Sequence, residues 1–251
     1  MTGEAAGDRR VIAVGGADAL PFLQGLVTND LRPLERGPGL VWAALLTPQG
    51  KYLADFLVGR VGEALVLDIA EGIAEATLRR LAMYRLRADV AFDPSPLRVR
   101  RGLGSAPPQA LPDPRHPALG WRAYGTAPGG APAIDWDRIR VEHVIPETGI
   151  ELTPETYILE AGFERLHGVD FRKGCYVGQE VTARMKHKTD LRKGLAQVRV
   201  TGEARPGTTI EAEGKAAGTL YTQSGGLGIA HLRFDRAAGP MQAGAATVEP
   251  A

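Results

Sequence analysis

The sequence predicts an α+β protein, mostly antiparallel sheet with helices packed on it, followed by a small carboxy-terminal β-barrel. Three observations carry that prediction. Apolar segments come in the order strand, helix, antiparallel strands, helix, and not in the regular alternation that a parallel nucleotide-binding sheet requires. No glycine-rich phosphate loop accompanies them. Beyond Arg192 the pattern changes to short alternating runs cut by glycine and proline turns.

Each element has a local cause. Residues 11–14 (Val-Ile-Ala-Val) form a strand ended by Gly15-Gly16, and Asp18 is placed to cap a helix that carries Leu20, Leu23 and Val27 on one side and stops near Asn29. Apolar runs 41–47 and 52–58 flank Pro48-Gln49-Gly50-Lys51, whose turn residues make a hairpin. Residues 65–69 extend the sheet. From 72 to 87, Ile73, Ala76, Leu78, Leu81 and Leu86 recur at helical spacing with Arg79, Arg80 and Arg85 between them, an amphipathic helix packed on the sheet. Residues 104–132 are dense in proline, glycine and alanine and read as an irregular, mobile excursion that returns to strand at 119–124. A short helix follows over 135–144, ended by Ile145-Pro146. Runs 195–201, 218–222 and 227–232 supply strands of a small barrel or sandwich of about sixty residues, a size that is marginal alone. The expected division is 1–190 for the larger domain and 191–251 for the barrel.

Composition excludes several function classes. Lys plus Arg number 30 against 29 Asp plus Glu, so no basic field exists to neutralise phosphates, which argues against direct nucleic-acid binding. The single cysteine excludes an internal disulfide and a zinc or iron–sulfur site built from paired cysteines of one chain. His116, His143, His167, His187 and His231 show no metal-ligand spacing, so no dedicated metal site is expected. Nowhere do eighteen apolar residues run together, and the first twenty residues hold no signal-peptide core; the expectation is a cytoplasmic protein without a membrane partner.

The one cysteine lies in Lys173-Gly174-Cys175-Tyr176-Val177-Gly178-Gln179-Glu180. Gly174 and Gly178 predict tight bends on both sides of the thiol. A helix starting at Gln179 would turn the positive end of its dipole toward the loop, and Arg172, Lys173 and Arg184 are close in sequence; both influences favour thiolate, with Glu180 opposing. A lone cysteine is as readily a buried small hydrophobe, and the residues alone leave both readings open.

This octapeptide resembles the signature of the YgfZ-type folate-binding proteins, relatives of the aminomethyltransferase (T-protein) of the glycine cleavage system. Gly168-Val169-Asp170-Phe171 before it and Val181-Thr182-Ala183-Arg184 after it continue the likeness. So do Gly16-Ala17-Asp18, the run from Phe22 to Asp30, Leu46-Thr47-Pro48-Gln49-Gly50-Lys51 and Tyr84-Arg85-Leu86-Arg87. The resemblance covers most of the chain and is weakest between about Pro94 and Pro132.

The resemblance implies an aminomethyltransferase-like fold whose first unit holds tetrahydrofolate or a derivative. It places Trp136, ten residues before Pro146, against the folate, where an indole face can stack on the pterin; without the resemblance Trp136 reads as ordinary core. Arg140, Arg184 and Lys51 become candidates for the glutamate-tail carboxylates, although each taken singly reads as a solvated surface charge. Glu180 either accepts from the pterin's amino-pyrimidine edge or, as fits somewhat better, favours the helix dipole. Arg9 stands where some relatives carry a second aromatic contact, a departure from the pattern. Functionally, the likeness implies an accessory factor in assembly or repair of iron–sulfur proteins, particularly four-iron ones, working through Cys175 with A-type scaffold proteins or client cluster enzymes. The alternative is a tetrahydrofolate-dependent aminomethyl or one-carbon transferase. Against it, the T-protein lacks the octapeptide and its active-site aspartate motif is not found here. A third reading is a folate-binding interaction module with an incidental cysteine. Exposure of Cys175 separates the first reading from the third.

Overall fold

The computed structural model describes residues 3–188 and 191–251. The chain divides into two compact units, Met1–Ile134 with Glu164–Gln179, and Asp135–Phe163 with Glu180–Ala251. The expected boundary at residue 190 lies outside the described residues.

The first unit contains, in chain order, β1 (Glu4–Ala5), β2 (Arg9–Gly15), α1 (Ala19–Gln24), β3 (Gly39–Leu46), β4 (Tyr52–Val61), β5 (Ala64–Ala70), α2 (Glu71–Arg85), β6 (Ala91–Pro94), β7 (Arg98–Gly102), β8 (Leu111–Pro112) and β9 (Trp121–Gly125). Five strands pair in the order β3-β4-β5-β2-β6 and four in the order β1-β7-β9-β8, antiparallel throughout. Alternation along the strands sorts their side chains to two faces. Ala54, Phe56 and Val58 of β4 and Leu65, Leu67 and Ile69 of β5 share a core with Leu23 of α1 and Ala74 and Leu81 of α2. On the opposite face Val11 and Val66 pack with Val99 of β7, so the second sheet covers what the helices leave.

Between the two sheets lies a buried charge network that no local pattern in the chain foretells. Asp68 accepts from Arg9 Nε at 2.6 Å, Arg122 Nη1 at 2.8 Å and the Tyr124 hydroxyl at 2.9 Å. Arg122 Nε also donates to Asp113 at 2.8 Å. Burial alone would raise the Asp68 pKa, but the Arg9 and Arg122 guanidinium groups outweigh it and hold the carboxyl below its ordinary value. Arg9, the departure noted above, is thereby committed to the fold.

Two local expectations change. The Asp18 carboxylate accepts from the Asp89 N–H at 2.9 Å and does not cap α1. α1 ends at Gln24, earlier than Asn29, because the chain beyond it is drawn to β3: Thr28 N–H donates to the Ala44 carbonyl at 3.0 Å. The Thr28 hydroxyl donates to the Gly168 carbonyl at 2.7 Å and accepts from Ala44 N–H at 2.9 Å. Strands β6 and β7 were hidden by Pro94 and Pro96, yet β6 is an edge strand, where proline is tolerated.

The remaining elements are α3 (Trp136–His143), α4 (Gln179–Lys188), β10 (Lys193–Thr201), β11 (Thr208–Ala212), β12 (Lys215–Ser224), β13 (Leu227–Arg233), β14 (Met241–Ala243) and β15 (Ala246–Pro250). The six strands close into a barrel in the order β10-β13-β12-β11-β14-β15 around Val198, Ile210, Leu220, Leu232 and Val248. Closure leaves no unpaired edge, which suits a small β unit. The helix expected over 135–144 is α3, and Asp135 caps it, its Oδ1 accepting from Arg138 N–H at 2.9 Å.

Candidate functional site

The octapeptide forms a loop in the first unit that leads into α4. Its burial alternates: Lys173 and Tyr176 are each 8% exposed, whereas Gly174 and Cys175 face solvent. Two buried anchors therefore hold the thiol outward. Gly174 takes φ +99° and Gly178 φ +84°, the positive values that the spacing predicts. They differ in what surrounds them. A Cβ on Gly174 would meet nothing within 4 Å, whereas one on Gly178 would lie 2.5 Å from the Thr47 carbonyl oxygen and 3.2 Å from Gly50 Cα. The loop is thus seated on the β3–β4 turn that carries Lys51.

Hydrogen bonds complete the seat. Gln179 Oε1 accepts from Tyr176 N–H at 3.2 Å while Gln179 N–H donates to the Tyr176 carbonyl at 3.3 Å, a reciprocal cap on α4. Lys173 Nζ donates to the carbonyls of Gln24 and, at 2.7 Å, Val27, at the end of α1. It also lies 5.1 Å from the centre of the Tyr176 ring. Burial pushes the Lys173 pKa down to about 8, against the opposing pull of Asp30, Asp170 and Cys175.

Just ahead of the loop, a cleft of about 650 Å³ opens among Asn29, Arg32, Trp42, His167, Asp170 and Phe171. Its floor is stitched by Asn29 Nδ2, which donates to the Trp42 carbonyl at 2.8 Å and the His167 carbonyl at 2.6 Å.

The other predicted residues fall in two places. Lys51 is half-buried in its turn, where Thr47 N–H donates to the Lys51 carbonyl at 2.8 Å. Glu180 and Arg184 are exposed on α4, and Glu180 occupies its first turn. Trp136 opens α3 in the second unit and is half-buried. Arg140, on the same helix, is buried, and all five of its N–H groups find acceptors in that unit. Nε donates to the Ile145 carbonyl, Nη1 to Asp137 and Glu147, and Nη2 to Glu151 and the Thr222 hydroxyl. No N–H remains for a folate carboxylate, so Arg140 is better placed to hold the protein together than to hold a ligand. Sequence reasoning missed the partners that use it, because Thr222 lies 82 residues away and Glu151, 11 residues on, belongs to no repeat shared with α3.

Among the described residues, no group of three or more His, Cys, Asp and Glu side chains could hold a metal ion, and no helix is long and apolar enough to cross a membrane.

Comparison with known proteins adds what geometry does not. Residues 192–251 match the family described as the CAF17 C-terminal beta-barrel domain. Over the whole chain the fold is that of the glycine cleavage system aminomethyltransferase T from Bartonella henselae, with a TM-score of 0.71 at 14% identity, covering 98% of this chain and 85% of that one. The mitochondrial iron–sulfur cluster assembly factor IBA57 of Mus musculus is 32% identical, covering 93% of this chain and 78% of the mouse protein. The Homo sapiens factor of the same name is also 32% identical, with the same coverage. The expected cytoplasmic location is overturned by these matches: both relatives are named mitochondrial, and the lack of a long apolar run does not separate one compartment from the other. YgfZ-type proteins, to which the octapeptide pointed, are related to this group. With such identity along nearly its entire length, the chain belongs to the family of the IBA57 iron–sulfur cluster assembly factors.

Proposed function

We propose that the protein is an accessory factor in iron–sulfur cluster assembly, that its working group is the Cys175 thiol, and that it acts in mitochondria as its named relatives do. The observation that carries the reading is the exposure of the chain's one cysteine on a loop anchored at both ends. A thiol buried in apolar surroundings would have supported an inert role. Exposed, it can ligate an iron of a cluster in transit: the thiolate supplies the electron pair, its proton passes to solvent, and a thiolate of the donor or acceptor protein leaves or replaces it. The fold of an aminomethyltransferase supports a reduced folate as a companion ligand, with Trp136 against the pterin and Arg184 of the same unit toward the glutamate tail. Partners in this reading are A-type scaffold proteins and client cluster enzymes.

The test is aconitase activity in cells lacking the protein, supplied with the native gene or with Cys175→Ala at equal protein level. Rescue by the native gene alone is expected. Equal rescue by both would remove the thiol from the mechanism, and an undiminished aconitase in the deficient cells would remove the assembly role.

A further inference from the structure

The octapeptide contains a second charged group whose placement the thiol alone does not explain. Lys173 precedes Cys175 by two residues, yet its side chain turns the opposite way, into the protein. A lysine is expensive to bury, and this one is held by two main-chain carbonyls at the end of a helix and by an aromatic ring. We propose that Lys173 is the positioning residue of the motif, its ammonium tying the Cys175 loop to the end of α1 and so fixing where the thiol stands. The inference rests on the reading of Cys175 as the working group.

The surroundings suit a charged amine. Facing Lys173 are Asp30 and Asp170, Arg32, and Cys175 with Tyr176 from its own loop. Without the ammonium the two carbonyls at the end of α1 would lose their donor and the loop its tie.

The measurement is amide hydrogen exchange of residues 172–178 at one pH, in the native protein and in Lys173→Arg and Lys173→Met. Arginine keeps a charged donor, whereas methionine keeps the bulk and removes it. Lys173→Met should lose at least fivefold in loop protection, and Lys173→Arg should keep most of it. Native-like protection in Lys173→Met overturns the proposal. Should Lys173→Met not fold, Lys173→Gln, whose shorter neutral side chain cannot make the tie, decides it by the same readout: it should lose protection, and native-like protection overturns the proposal. In the aconitase assay Lys173→Arg should rescue and Lys173→Met should not. If native protein itself failed to rescue, the assembly role would fall while the exchange result stood.

Discussion

Alanine at Gly178 and alanine at Gly174 test how the loop is seated. Both glycines adopt positive φ, +84° and +99°, so each substitution forces an L side chain into a conformation that costs about 1–2 kcal/mol. At Gly174 that is the whole cost, because the new Cβ points into open space. At Gly178 the Cβ would sit 2.5 Å from the Thr47 carbonyl oxygen, which belongs to a backbone that cannot swing aside, so the loop must lift from the β3–β4 turn. Overpacking of this kind adds about 1–3 kcal/mol. Gly178→Ala should therefore lose about 2–5 kcal/mol of stability and Gly174→Ala about 1–2 kcal/mol, read from urea denaturation of the two variants and the native protein. Losses equal to within about 0.5 kcal/mol would refute the argument, since they would mean that contact with the turn contributes nothing beyond backbone strain.

Glu151→Ala removes the acceptor of Arg140 Nη2, Glu147 N–H and two Thr222 groups, and should cost about 3 kcal/mol or more, since a buried cation loses its most buried partner; calorimetry should show the barrel unit melting at least about 10 °C lower, with Arg140→Met/Glu151→Leu recovering part of the loss. Acid should destabilise the first unit through Asp68: its folded-state pKa lies below the unfolded one, so its contribution is present above about pH 4 and is lost as pH falls further, and urea midpoints should drop over that range less steeply in Asp68→Asn. Trp136→Ala should weaken reduced-folate binding by calorimetry while leaving the melting profile of the first unit unchanged; an unaltered affinity would remove Trp136 from the folate site.

Much of the fold could be read from local pattern. The hairpin around Pro48-Gln49-Gly50-Lys51 and the helices α2 and α3 are decided by neighbouring residues and stand where periodicity and turn chemistry put them, although on α2 Ala74 and Thr77 are buried in place of Ala76, and Leu86 lies exposed beyond its end. The end of α1 was not legible, because Thr28 is claimed by Ala44 and Gly168, contacts set by tertiary packing. In the site, the two glycine bends followed from spacing, whereas the outward turn of the thiol was left open by the residues and the inward turn of Lys173 was not legible at all. Its acceptors are carbonyls about 150 residues earlier, and main-chain oxygens carry no sequence signature. Arg140 misled for a related reason: a guanidinium looks equally available to a ligand and to the protein until its five donors are accounted for.

The interleaving of the two units along the chain bears on synthesis. Residues 164–179, which carry the thiol loop and supply the carbonyls that Thr28 and Asn29 bind, leave the ribosome only after the whole of Asp135–Phe163. At about 5–20 residues per second, the end of α1 waits about 7–30 s for Lys173 to arrive. A nascent chain halted before that point leaves the carbonyls of Gln24 and Val27 to water in place of the Lys173 ammonium, and a fragment ending at residue 134 would lack that tie permanently.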